Sequence, residues 1–251
     1  MTEYIYELIS NNLFDIVITI GPNDKDIIYK QIEFTKKNII GYRNIYLISY
    51  DPNIIIDGCI TINENSFPFS LETVSKIHGS LDRNGWYLQQ LLKLYALLII
   101  PGILDKCLVI DADTFFLKPT EFIKNNKCLY NFGDEYHIPY FIHMLKLDED
   151  LVKVYQNISG ICHHMMFEKK YIIEIINKIE EKHNDKFYNI FLKLVTDVNH
   201  SGASEYEIYF NYMLKNYRNN VDIRQLKWCN TSIFNADADF DYISYHWYMR
   251  K

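Results

Sequence analysis

Nothing in these 251 residues divides the chain into pieces. The nine glycines and six prolines never gather into a linker. No internal repeat or low-complexity tract occurs either, so residues 1–251 read as a single domain. Long apolar runs are also missing. The longest, Leu94 to Leu104, is too short to span a bilayer and contains Pro101 and Gly102. Met1 to Ser10 carries Glu3 and Glu7 and shows no basic segment ahead of an apolar one, which excludes a secretory signal of the usual kind. Cys59, Cys107, Cys128, Cys162 and Cys229 form no CxxC pair. That removes zinc spacing and leaves buried, reduced thiols as the expectation. Without secretion, the glycosylation triplets at Asn157, Asn199 and Asn230 are chance matches. There is no GxGxxG or Walker-type run, and a net charge of −6 argues against a general nucleic-acid binder. These absences together predict a soluble, intracellular protein of the cytoplasm (of the host cytoplasm if the source is a virus).

What is present suits a packed α/β domain: 49% of residues are hydrophobic and 16% aromatic. Phe14 to Ile20 is short, β-branched and stopped by Gly21-Pro22, a buried strand. Asp24 to Asn38 has helical spacing, Asn44 to Ser49 is a second strand, and Cys59 to Ile62 a third. Short links between them make a βαβ unit and hence a mostly parallel sheet flanked by helices. Trp86 to Ile100 is a helix ended by Pro101-Gly102, and Cys107 to Ile110 is another short strand. Later, Cys128 to Phe132 and Gly160 to Phe167 read as strands. Lys169 to Lys182, Lys186 to Val195 and Ser204 to Asn216 read as helices, and Val221 to Trp228 and Tyr242 to Tyr248 as closing strands. Phe132 to Lys146 and Thr196 to Ala203 read as variable loops.

Asp111-Ala112-Asp113 follows the strand at Cys107 to Ile110. Ligands of open α/β sheets bind beyond the carboxyl ends of the strands. Alternate residues of an extended segment point the same way, so both carboxylates can face one hard cation while Ala112 turns back. Such a metal relieves charge on a departing diphosphate.

The run Lys106 to Pro119, KCLVIDADTFFLKP, resembles the metal-binding strand of GT-A glycosyltransferases. It is most similar to the glycogenin-like family 8 enzymes and to related transferase sequences of bacteria and large viruses. Gln89-Gln90-Leu91-Leu92-Lys93-Leu94 resembles that family's helix, whose Lys or Arg approaches the donor. Asn157-Ile158-Ser159-Gly160 resembles its NSG segment, and Tyr245-His246-Trp247 its C-terminal metal-binding histidine. The resemblance implies a GT-A, Rossmann-like fold and a UDP-sugar or similar donor. It also implies Mn²⁺ or Mg²⁺ held by Asp111, Asp113 and His246, and a glycan, glycoprotein or small-molecule acceptor. The family's Gly and Lys after the histidine are not matched in spacing by Tyr248-Met249-Arg250-Lys251, so Arg250 or Lys251 would have to replace that Lys.

The remaining candidates are read from residue chemistry. Imidazole at His246 would favour Mn²⁺ over Mg²⁺. Lys93 within an apolar helix face either snorkels or meets a phosphate, and Arg83, beside Trp86 and Gln90, either makes bidentate contact with a diphosphate or is an exposed loop charge. Thr19, Ile20 and Gly21 end the first strand, where a nucleotide base would lie. Asp51 either binds base or ribose or forms a turn before Pro52. His163 and His164, adjacent on an expected strand, face opposite ways, with one toward the donor or acceptor sugar. Ser204 and Glu207 form a capping box. That leaves Glu205 to deprotonate an acceptor hydroxyl or to complement the helix dipole, with Glu207 in reserve. A phosphotransferase using the same acidic pair, or an inactive sugar-binding scaffold, are the alternatives.

Overall fold

The computed structural model describes residues 13–250. The expectations for Met1 to Ser10 and for Lys251 lie outside them. Its centre is a five-stranded sheet built from β1 (Phe14–Ile20), β2 (Tyr42–Ser49), β3 (Cys59–Asn63), β4 (Lys106–Asp111) and β7 (His164–Glu168), in the order β7-β4-β1-β2-β3. Four strands run parallel and β7 runs antiparallel to β4. Every residue of β1 is buried, which explains its β-branched, largely apolar make-up: a parallel strand covered on both faces has no solvent side to mark with alternating polar residues, and its one charged residue, Asp15, is paired with Arg43. This is the mixed, mostly parallel α/β sheet that the βαβ pattern predicts.

Helices α1 (Ile28–Asn38), α2 (Leu71–His78), α3 (Asn84–Ile99), α4 (Ile138–Leu147), α5 (Lys169–His183), α6 (Phe187–Lys193) and α7 (Glu205–Asn216) flank the sheet. Two small three-stranded sheets, besides the two-stranded pairing of Ile39–Ile40 with Thr120–Glu121, complete the described strands. One pairs β6 (Lys127–Asn131) with β8 (Val221–Arg224) and the short strand Ile123–Lys124. The other sets β10 (Tyr242–Ser244) between β5 (Thr114–Phe116) and β9 (Trp228–Asn230). The β5–β10 pairing returns the end of the chain to the residues just after Asp111-Ala112-Asp113.

Four expectations need correction. The strand expected from Val221 to Trp228 is two strands, Val221–Arg224 and Trp228–Asn230, in different sheets. Phe132 to Lys146 is not a loop throughout: it runs into α4, where Pro139 occupies the first turn and Tyr140, His143, Met144 and Leu147 form the buried face. That spacing of three and four is a helical stripe. The strand expected from Gly160 begins only at His164, because His163 adopts a left-handed conformation (φ 62°) that breaks the extended run. The strand expected to run from Tyr242 to Tyr248 stops at Ser244, and Trp247–Met249 forms a 3₁₀ turn. The α2 helix, unread in the sequence, carries a reciprocal capping box between Ser70 and Thr73. Of the cysteines, all free, Cys107, Cys128 and Cys162 are buried while Cys59 and Cys229 are half-buried. No helix among the described residues is long and apolar enough to cross a membrane.

Two histidines are buried neutral. His143 rests against Phe191, its Nε2 2.8 Å from the Phe191 carbonyl, and His164 is packed among Phe116, Phe122 and Tyr242. Burial pulls their pKa values down to about 4 and about 3. A folded-state pKa below the unfolded 6.5 means that the unfolded chain binds the proton first, so stability is complete above about pH 6.5 and falls as pH drops below it. Each histidine adds a slope of about 1.4 kcal/mol per pH unit. Urea unfolding at pH 6 and pH 5 should show that loss, and His164→Phe should lower the slope by one histidine's share. Equal slopes in the two proteins would show that His164 is not buried neutral.

Candidate functional site

Asp111 is the last residue of β4, and its register partner on the central strand is Thr19. Ala112 and Asp113 form the turn that leads into β5. The acidic pair therefore spans a strand end and a turn rather than one extended segment, with Ala112 buried beneath as its small side chain allows. Both carboxylates remain partly exposed, at 18% for Asp111 and 13% for Asp113. They stand at the carboxyl edge of the sheet, where a ligand of an open α/β fold is expected.

The C-terminal segment completes this edge. Pairing of β10 with β5 carries the chain past Asp113, whose carbonyl accepts the Tyr245 N–H at 2.8 Å. His246 then places Nδ1 2.8 Å from Asp113 Oδ2 and Nε2 3.1 Å from Asn230 Oδ1. Burial acts to lower the His246 pKa, but the Asp113 carboxylate outweighs it and raises the value above the ordinary one. Asp113 Oδ1 is buried without a hydrogen-bond partner, an unusual state for a carboxylate oxygen. His163 comes from the other side, its Nδ1 3.3 Å from Asp111 Oδ2 and its ring 4.8 Å from that of His246. Among the described residues, no three His, Cys, Asp or Glu side chains converge as a ready-made cage for an ion.

Beneath the acidic pair lies a buried ionic cluster. Lys93, on α3, is 3% exposed. Its ammonium meets Asp111 Oδ1 at 2.5 Å and Glu205 Oε1 at 2.7 Å, so it is neither snorkelled nor free for a phosphate. Burial alone would lower its pKa, but the two carboxylates prevail and raise it. For Asp111 burial pushes upward, and Lys93 with His163 holds the carboxyl well below the usual range. Burial and the neighbouring Asp111 leave Glu205 raised despite Lys93. Gln90 fixes Glu205 from below, its Oε1 accepting the Glu205 N–H at 3.1 Å. Tyr206, absent from the sequence reading, donates its hydroxyl to Asp111 Oδ1 at 2.8 Å.

The structure gives several expected site residues other tasks. Glu205, the candidate base, is 3% exposed and serves as the counter-ion of Lys93. Glu207 is fully buried. Its backbone N–H meets the Ser204 hydroxyl, but its carboxylate takes Ser159 Oγ at 2.5 Å and Asn211 Nδ2 at 2.6 Å. Only half of the expected capping box therefore forms, and neither Ser159 nor Glu207 is free to meet a substrate. Gly160 answers a packing need, since a Cβ there would lie 2.6 Å from Phe210 Cβ and 3.0 Å from the Tyr206 carbonyl. His164 belongs to the aromatic core. Asp51 turns inward on its own loop, accepting from the Asn53 N–H and side chain at 3.0 Å, the turn-forming alternative. Thr19 and Ile20 are buried, with Thr19 Oγ1 unpartnered. Gly21 has ordinary backbone angles, and a Cβ there would meet only Asp24 Oδ2, at 4.0 Å.

Around the edge, Arg83 lies over the Trp86 ring, 4.5 Å from its centroid, with Nη2 2.5 Å from Ser201 Oγ. Arg250 bonds Asp24 Oδ1 and the Asn23 carbonyl, each at 2.6 Å. Burial first, then the nearby Asp113, pushes Asp24 up to about 6. Asp24 is thus a third carboxylate near the pair, hidden in the sequence by the 3₁₀ turn that holds it. A hollow lined by Asp105, Lys106, Glu168, Lys169 and Lys170 lies at the opposite end of β4 and shares no residue with this cluster.

The fold is similar to that of the apo form of mouse xyloside xylosyltransferase 1, at 8% identity and a TM-score of 0.46, over 92% of this chain and 97% of that one. It is also similar to galactosyltransferase LgtC in complex with donor and acceptor sugar analogs, at 11% identity and a TM-score of 0.47, over 92% of this chain and 86% of that one. No curated protein matches the sequence. Residues 51–238, more than half of the chain and including Lys93, Asp111, Asp113 and Glu205, match the profile of a family of unknown function, and the protein belongs to that family, DUF6492.

Proposed function

We propose that this chain is a metal-dependent glycosyltransferase that moves a sugar from a nucleotide-sugar donor, UDP-linked by resemblance, to an acceptor hydroxyl. One observation carries the reading. His246, 133 residues away in sequence, is brought to 2.8 Å from Asp113 at the strand end that also holds Asp111. The residues fit a divalent cation in kind: two carboxylates and an imidazole are hard-to-borderline donors, and the orphaned, buried Asp113 Oδ1 is an oxygen in want of a positive partner. Asp111, Asp113 and His246 would hold the ion, and the imidazole favours Mn²⁺ over Mg²⁺. Such an ion, when bound, stabilises negative charge on the departing nucleoside diphosphate.

The chain's own groups then have separable tasks. Lys93 and Glu205 form the buried base of the site, and Lys93 with His163 keeps Asp111 ionised. Arg83, over the Trp86 ring and bonded to Ser201 Oγ, is the cation that would exchange that hydroxyl for a diphosphate, its planar fork suited to paired phosphate oxygens. Catalysis rests on positioning and on electrostatic relief of the leaving group. A nucleotidyl- or phosphotransferase would recruit Asp24 as a further carboxylate, but the Asp24 side chain is held by Arg250 at 2.6 Å. Incubation with a panel of nucleotide sugars and Mn²⁺ decides between them. Release of nucleoside diphosphate, abolished by EDTA, supports the glycosyltransferase; release of pyrophosphate overturns it in favour of the other enzyme.

A further inference from the structure

Tyr206 stands at the centre of the buried cluster and has no task in the account above. Its hydroxyl donates to Asp111 Oδ1 at 2.8 Å, the same oxygen that meets the Lys93 ammonium at 2.5 Å. Its ring centroid lies 4.6 Å from that ammonium, and the residue is only 4% exposed. Two donors occupy Oδ1. The other oxygen, Oδ2, faces His163 Nδ1 at 3.3 Å, and the His163 ring packs 4.8 Å from that of His246. Asp111 Oδ2 therefore looks toward the side on which His246 and Asp113 meet.

The two donors on Oδ1 differ in what they can fix. An ammonium is a rotatable point charge that neutralises without choosing a direction. A phenol on a ring wedged into the core has one reachable orientation. Burial and the adjacent Asp111 push the Tyr206 hydroxyl well above its ordinary pKa, so it remains a proton donor and is unsuited to act as a nucleophile. The helix carrying it is seated by Gly160, where any Cβ would press on the Tyr206 carbonyl and on Phe210. Backbone, ring and hydroxyl are all held against Asp111.

We propose that Tyr206 is a positioning residue: by occupying Oδ1 it turns Oδ2 of Asp111 toward Asp113 and His246, and so sets the affinity of that trio for a divalent cation. The proposal rests on the metal-dependent reading above. Outer hydrogen bonds to a metal ligand are worth about 10–100-fold in metal affinity, and Tyr206→Phe removes one such bond while keeping the ring. The control is Tyr209→Phe, one turn along the same helix. That buried hydroxyl accepts the Glu168 N–H at 2.9 Å and touches none of the three residues.

The measurement is free Mn²⁺ by its six-line electron paramagnetic resonance signal, titrated into wild type, Tyr206→Phe and Tyr209→Phe, with MnCl₂ alone and with MnCl₂ plus UDP. The expected result is an Mn²⁺ affinity about 10-fold weaker in Tyr206→Phe and unchanged in Tyr209→Phe. Equal or tighter binding by Tyr206→Phe, with wild type binding normally, overturns the positioning role and leaves the metal site standing. An equal loss in both variants overturns it too, because the effect would then come from packing. Failure of the wild-type protein to retain Mn²⁺ under either condition overturns the metal-dependent reading itself.

Discussion

In Asp113→Ala, release of nucleoside diphosphate from the donor should fall at least ~100-fold, more than the loss typical of deleting a mere outer partner of a metal site. Three effects combine. The variant removes one of the two carboxylates, frees His246 from the contact that orients it, and eliminates the orphaned Oδ1. The fold should survive, because Asp113 lies in a turn, partly exposed, and its chain-closing contact with Tyr245 uses the backbone carbonyl. Activity and melting temperature measured on the same sample separate the two effects. Wild-type turnover in Asp113→Ala would remove this residue from the site.

Lys93→Met should be the more damaging substitution for stability. Lys93 is the shared partner of Asp111 and Glu205, both within 2.7 Å of its ammonium. Removing one member of a buried ionic group leaves uncompensated charge and costs about 3–5 kcal/mol. In the variant the two carboxylates lose the partner that holds their pKa values down. The folded chain then binds protons more readily than the unfolded one, so the deficit should shrink as pH falls from 7 toward 5. Adding Glu205→Gln should restore part of the loss at pH 7 by removing one of the stranded charges. Urea unfolding of the single and double variants checks both statements. A Lys93→Met protein within 0.5 kcal/mol of wild type, the usual range for an innocuous surface change, would contradict the buried cluster.

These two residues also show what a linear sequence can convey. Asp111 and Asp113 were legible because a buried strand announces itself as an apolar run, and chemistry at the end of such a run has a known location in α/β sheets. The parallel βαβ start of the sheet is legible in short β-branched segments separated by helical spacing, whereas the strand order, with β4 beside β1 and β7 antiparallel at the edge, is set by pairings between distant segments. Lys93 was visible as a lysine among leucines, but its partners lie 18 and 112 residues away. Periodicity has no access to such separations, so a buried counter-ion looked like a phosphate ligand. Glu207 and Ser159 were drawn to the site by their sequence neighbours, whereas in three dimensions they satisfy each other. Tyr206 gave no signal at all: among 21 tyrosines, nothing local marks the one whose hydroxyl meets Asp111. His163 and His164 lie in different environments because of the left-handed turn at His163 rather than strand alternation. The α4 helix was legible in its spacing and overlooked because its flanks are polar and aromatic.

The most direct test of the central claim is thermal unfolding of the wild-type protein with a panel of nucleoside diphosphates and nucleotide sugars, with and without Mn²⁺. A ligand at 100 times its dissociation constant stabilises the native state by about 2.7 kcal/mol, which for a chain of this size corresponds to a rise of roughly 5–10 °C. The account predicts such a rise for one nucleotide family, only when Mn²⁺ is present. A flat melting temperature across the whole panel, with and without the metal, would contradict it.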